Sequence, residues 1–333
     1  MGNMRYIITI LHEKKVPTSM KRKSRLLPHA KLWTMTGFAA LLLSSQAVQP
    51  ATILAAPTTA PAAVSATSAS EQIFNRYMAI VQSPNQIGSA MAYLRANISK
   101  VTPYQASLMV LHLENALKRN LPVIEQRFFP ASVQETIGNV YQRGFSFADV
   151  RNRITNESVK QLLNQASAQG YKLETAEGMY YPIINYSIFR EFGQYVNEDI
   201  QSYILIMAEE SKQAAVKDAA LVIGYQQLVR RTLNMERFVQ QFPNSNRTAQ
   251  VRELFERYRD FTFYGTNNTP LFDYDTKEMR PNAKTGYTNI LQWVSVDNST
   301  YLDKLGEFME LAAEHDYKET TEIRDFIRNY VAN

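Results

Sequence analysis

Helix-start signals followed by apolar residues at helical spacing constrain this chain more than any other feature. Ser83-Pro84-Asn85-Gln86 and Thr102-Pro103-Tyr104-Gln105 each offer a hydroxyl cap, a proline at the first helical position and a glutamine at the third. The cap oxygen and the glutamine satisfy orphan backbone N–H groups, and proline has no N–H to leave unpaired. Behind them Ile87, Met91 and Leu94, then Leu108, Leu111 and Leu117, keep one apolar face. Asn197, Glu198 and Asp199 open another helix, whose two acids complement the helix dipole. A stripe through Leu221, Tyr225, Leu228, Met235, Val239 and Phe242 predicts a long helix ending near Pro243, with Arg230 on its solvated side.

Further helices are predicted over 70–82, 132–142, 147–153, 156–168, 186–196, 246–262, 285–295, 300–315 and 320–331. Gly170 reads as the residue just past a helix end. Two stretches break the pattern. Residues 171–185 read as extended segments around a Glu177-Gly178 turn, and 264–284, rich in Gly, Asn, Pro, Thr and Asp, as a long surface loop. The expected fold class is all-α: an array or bundle of about ten helices with one small β-hairpin and a long loop.

Charge is distributed unevenly along the 333 residues. Residues 1–49 hold 8 of the 36 Lys and Arg but only 1 of the 31 Asp and Glu, so the rest carries 28 basic against 30 acidic side chains. The folded part therefore lacks the positive footprint that phosphate binding needs, and no nucleic-acid partner is expected. Residues 1–47 read as a signal peptide. Lys21, Arg22, Lys23, Arg25 and Lys31 form its basic region, Leu32–Leu43 its apolar core, and Ser45-Gln46-Ala47 a cleavage site. Met20 fits a true start, which would make 1–19 an over-extended N-terminus. The apolar core falls short of the ~20 residues of a spanning helix, so contact with a membrane is expected only through the leader before cleavage. Residues 48–70, mostly Ala, Pro, Thr and Ser, read as a flexible linker, and 71–333 as the helical domain.

Several chemistries are excluded or unsupported. No cysteine means no disulfide, thiolate nucleophile or thiolate metal site. Beyond the leader only His112 and His315 remain, one among leucines and one near a helix end, and both read as structural. There is no Gly-x-Ser-x-Gly, phosphate loop or dinucleotide turn. No cofactor is expected. Carboxylates remain. Glu174 and Glu177 flank the predicted turn beside Tyr180, Tyr181 and Tyr186. Paired carboxylates with aromatic platforms are what a glycan-cleaving or glycan-binding site uses; the competing reading is a solvated hairpin with tyrosines packed into the core. Asp273 and Asp275 offer hard oxygens for calcium, without the glycine and glutamate offsets of an EF-hand; an Asx-turn loop is the competing reading.

The run Phe242-Pro243-Asn244-Ser245, followed by Arg252-Glu253-Leu254-Phe255 and Tyr258, resembles the helix–Pro-x-Ser–helix junction of some tetratricopeptide-like envelope proteins. The order Glu177-Gly178-Met179-Tyr180-Tyr181-Pro182, then Glu209-Glu210-Ser211, then Gly265–Tyr274 is similar to uncharacterised secreted helical proteins of Gram-positive bacteria. That resemblance implies an all-α fold and an extracytoplasmic location, with no catalytic residue to carry over. The expectation is an exported binding or scaffold protein of the cell envelope or extracellular space, with a protein, peptide or glycan partner. The alternatives are a carboxylate-dependent hydrolase of wall polysaccharide using Glu174 and Glu177, and a purely structural envelope protein.

Overall fold

Ordered helix begins earlier than the linker composition implies. In the computed structural model, which describes residues 68–83, 85–295 and 298–332, helix α1 spans Ala69–Gln82. Its start is set by Ser68: the hydroxyl accepts from Glu71 N–H at 3.2 Å while the Ser68 N–H donates to the Glu71 carboxylate at 2.9 Å. This reciprocal capping box places the last residues of the expected linker in the helix. The leader and residues 48–67 lie outside the described residues.

Helix α2 (Ile87–Asn97) corrects the expected cap at Ser83. The Ser83 hydroxyl instead donates back to Ala79 C=O at 2.7 Å, closing α1, and Asn85 at φ 59° breaks the chain before α2 begins. The matching signal at Thr102 works as read. The Thr102 hydroxyl accepts from Gln105 N–H, and the Gln105 side chain accepts from Thr102 N–H, opening the 24-residue helix α3 (Pro103–Gln126). Helix α3 packs on α1 and α2 and holds the core side chains Met109, Leu113 and Leu117.

Helices α4 (Ala131–Gly138), α5 (Phe147–Arg151) and α6 (Glu157–Ala168) follow, then the hairpin of β1 (Tyr171–Ala176) and β2 (Met179–Ile184). Gly170, at φ 92°, ends α6 as expected, and a Cβ there would lie 2.8 Å from both Ile188 and Met91 side chains. The predicted helix at 186–196 is a 3-10 segment, Tyr186–Tyr195, packed closely against α7 (Glu198–Lys212).

The long stripe helix starts later than its pattern suggests. Leu221 belongs to a second small hairpin, β3 (Val216–Lys217) with β4 (Ala220–Leu221), and α8 runs Tyr225–Gln241. Arg230 is exposed as expected, whereas its neighbour Arg231 is buried. Helix α9 (Thr248–Phe263) packs antiparallel on α8 after the turn at Pro243. The expected long loop is shorter and better tied down than its composition implied. Strands β5 (Gly265–Thr266) and β6 (Thr269–Pro270) form a third hairpin, Leu271, Phe272 and Met279 are buried, and α10 (Pro281–Trp293) starts within the predicted loop. Three apolar side chains anchor what polar composition alone would leave on the surface. Helices α11 (Thr300–Glu314) and α12 (Thr321–Ala332) complete the unit. The fold is all-α, its sheets among the described residues being two-stranded hairpins.

Candidate functional site

The β1–β2 hairpin is closed by two residues of positive φ, Glu177 (50°) and Gly178 (75°), a geometry whose twist matches paired strands. Alternation along β2 separates its tyrosines. Tyr180, opposite Thr175, lays its ring 4.9 Å from that of Tyr141 and against Gly138. Its backbone is clamped by one side chain: Tyr180 N–H donates to Gln134 Oε1 at 2.9 Å, and Gln134 Nε2 donates to Tyr180 C=O at 2.7 Å. Tyr181 pairs across the strands with Glu174. Burial, and then the charges of Glu174, Asp218, Glu125 and Glu177, push its phenol up to about 12.

Glu174 and Glu177 have different surroundings. The Glu174 carboxylate is ion-paired with Lys217 and lies 3.9 Å from Lys172 Nζ. Glu177 stands exposed at the turn tip, and its N–H donates to Asp218 Oδ1 at 3.1 Å. Tyr186 is away from the hairpin surface. It is buried, and its hydroxyl donates to Glu114 at 2.6 Å.

The two regions that stood out in the sequence, 171–185 and 264–284, are joined by a third it did not flag. At the tip of β3–β4, Asp218 and Ala219 adopt φ 49° and 56° without a glycine. Asn268 N–H donates to Ala219 C=O at 2.9 Å, and its amide to Asp218 C=O at 2.6 Å. Leu221 N–H donates to the Thr269 hydroxyl at 3.2 Å. Three hairpins thus form one hydrogen-bonded ledge. Left-handed backbone costs a non-glycine residue ~1–2 kcal/mol, so Ala219→Gly is expected to stabilise the chain by ~1 kcal/mol, seen as a melting temperature ~2–4 °C higher. A fall in melting temperature would show that the Ala219 side chain makes a contribution larger than its backbone strain.

The other candidate residues are placed plainly. Asp273 Oδ1 accepts from the N–H groups of Asp275 at 3.0 Å and Thr276 at 3.1 Å, and these bonds hold its carboxyl below the usual range. This is an Asx turn. No group of three or more His, Cys, Asp or Glu able to hold a metal occurs among the described residues. Chelator is expected to leave the melting temperature unchanged; a fall of several degrees would place a metal at Asp273 and Asp275. His315 Nε2 lies 3.1 Å from Glu322, and His112, half-buried beside Arg119, has its pKa lowered by burial and by that charge.

Two buried polar clusters brace the helices. Glu114 of α3, 2% exposed, accepts from Tyr186 and Tyr203 and pairs with Lys118 at 2.7 Å and Arg247 at 2.8 Å. Burial alone would raise its pKa; the charges of Lys118 and Arg247, with the hydrogen bonds, overcome this and hold the carboxyl below its ordinary value. In the second cluster Arg231 pairs with Glu209 at 3.2 Å and Glu210 at 3.1 Å and donates to Gln213 C=O at 2.8 Å. Here burial wins, and the Glu210 carboxyl is pushed up despite its bonds to Tyr258 and Arg231.

Beside the turn that carries Arg247 lies a groove of about 640 Å³, wide open to solvent and within the usual ~300–1,000 Å³ of ligand sites. It is walled by Pro103 at the start of α3, by 196–199 leading into α7, and by 241–245 of the α8–α9 turn. The turn is held from both sides. The Ser245 hydroxyl donates to Asp199 at 2.6 Å, and Arg247 reaches inward to Glu114. Its apolar side comprises Pro103, Val196, Phe242 and Pro243; Asn197, Gln241 and Asn244 supply amides. Sequence reasoning quoted the Phe242–Ser245 run for its resemblance but did not read a site there; the proline-serine break between two amphipathic helices was the available signal.

Compared with known proteins, the chain matches no family, no curated protein and no solved structure.

Proposed function

We propose that this chain is an exported helical binding or scaffold protein of the cell envelope or extracellular space, which takes a segment of a partner protein in the α3–α7–α8/α9 groove. The observation that carries the reading is the groove: a depression of ligand size, wide open to solvent and lined about equally by polar and apolar groups, on a turn pinned by Asp199 and Arg247. Pinning lowers the entropy lost when a partner orders the turn. Export rests on the basic and apolar leader and the polar-small segment behind it. Glu174, ion-paired with Lys217 and close to Lys172, does not favour hydrolysis.

Two measurements test this. The intact mass of the exported protein is expected to lack roughly the first 45–60 residues; full-length chain in the membrane fraction would contradict export. A photo-crosslinking residue at Asn244 is expected to capture a partner from envelope extract, while one at Glu310, exposed on α11 and outside the groove lining, does not. Equal capture at both positions would remove the groove from the proposal.

A further inference from the structure

We infer that the occupant of the groove is an extended peptide segment bearing lysine or arginine, an inference that rests on the peptide-binding reading above. Charge comes first. The ten residues lining the groove include the carboxylates Glu198 and Asp199 and no Lys, Arg or His. The cation on the same turn, Arg247, pairs with Glu114 at 2.8 Å, and because Glu114 also pairs with Lys118 at 2.7 Å this trio keeps one positive charge. Asp199 accepts from Ser245, whereas Glu198 is exposed and paired with no cation of the described residues. Both acids sit on the first turn of α7, whose N-terminal end carries only about half a positive charge. Two full negative charges still exceed the helix end and the single charge left on that trio, so this wall is net negative.

Backbone recognition comes second. The side chains of Asn197, Gln241 and Asn244 make no hydrogen bond within the described residues, and Asn197 does not cap its own helix. A primary amide donates and accepts at adjacent atoms. An extended peptide displays the same alternation along its backbone, with no internal bonds to compete. A helical segment has already used these groups and would leave the amides, which are exposed, bonded only to water. Third, Pro103, Val196, Phe242 and Pro243 give an apolar surface for the methylene stems of long cationic side chains, whose heads remain near solvent and Glu198.

The test uses the full chain and three fluorescent pools of random short peptides: Lys/Arg-bearing, Asp/Glu-bearing and uncharged. Fluorescence polarisation is read at low and high salt. The basic pool is expected to bind at least about tenfold more tightly than the uncharged pool at low salt and to lose that advantage at high salt. Glu198→Gln, an exposed and shape-preserving change, is expected to weaken the basic pool about fivefold and leave the uncharged pool unchanged. Asn244→Ala is expected to weaken every pool that binds. Thermal melts of both variants confirm that they fold. If the uncharged or acidic pool binds as tightly as the basic one, or Glu198→Gln changes nothing, the charge inference is overturned while loss on Asn244→Ala keeps the groove reading. If no pool binds, if soluble wall glycan fragments bind instead, or if Asn244→Ala alters only self-association of the chain, the peptide reading and this inference fall together.

Discussion

Gly265→Ala is expected to destabilise the protein by more than ~3 kcal/mol, a loss of at least ~6–12 °C in melting temperature. Gly265 opens the β5–β6 hairpin at φ 77°. A Cβ built there would lie 2.3 Å from Thr269 O, 2.5 Å from Leu271 N and 2.7 Å from Pro270 C, all of them backbone. Side chains can rotate away from such contacts; a hairpin backbone bonded at Leu271 N–H to Tyr264 C=O cannot shift without breaking its pairing. The left-handed backbone adds ~1–2 kcal/mol for alanine. Gly178→Ala is the control. It has nearly the same φ, 75°, but nothing within 4 Å of its Cβ, so only the backbone cost of ~1 kcal/mol is expected. Equal losses at both positions would mean that the close approach at Gly265 relaxes freely.

Removal of the Glu114 carboxylate is the second large effect. Glu114→Ala leaves Arg247, 14% exposed, without its anion and the buried Tyr186 hydroxyl without its acceptor, while Tyr203 keeps Gln250 Oε1 at 3.1 Å. Breaking one side of a buried ion pair costs ~3–5 kcal/mol. Lys118, 40% exposed, adds little because solvent screens it. The double variant Glu114→Leu/Arg247→Met is expected to recover much of the loss, since the charge left unpaired, Lys118, reaches solvent. If it is no more stable than Glu114→Ala, the loss is one of packing rather than of charge.

The same carboxylate predicts an acid dependence. Its folded pKa is below the unfolded value, so its contribution is complete above the unfolded carboxylate pKa of ~4.3. That contribution disappears as pH falls through the folded pKa. Glu114→Gln is therefore expected to melt lower than wild type at neutral pH, with a shallower decline on acidification. Arg247 also braces the α8–α9 turn, so the variant is expected to weaken groove binding in parallel. Parallel pH profiles for wild type and Glu114→Gln would show that other groups set the acid sensitivity.

Helices were legible where their signals are local. Thr102 and Gln105 lie three residues apart and close their own cap. Glu177-Gly178 was legible for the same reason, because two adjacent residues of positive φ define a turn within the hairpin itself. The β3–β4 turn was not, because Asp218-Ala219 carries no glycine and is held by Asn268 from another segment. Ser83 misled because one hydroxyl can close the helix behind it as readily as open the next.

Periodicity and capping act over about one helical turn, and by themselves they determined the all-α class, most helix positions and the main hairpin. Tertiary structure alone decided which polar residues enter the core. Glu114 meets Tyr186, Tyr203 and Arg247 across 72, 89 and 133 residues of chain; a helix wheel puts it on the apolar face with Val110, Leu111 and Leu117, which marks it as unusual but does not name its partners. Burial of such a charge is favourable only when its partners converge, and that convergence depends on how α3, α7 and α9 pack. The groove has the same origin: its walls come from three separate segments, and no local pattern encodes the space between them.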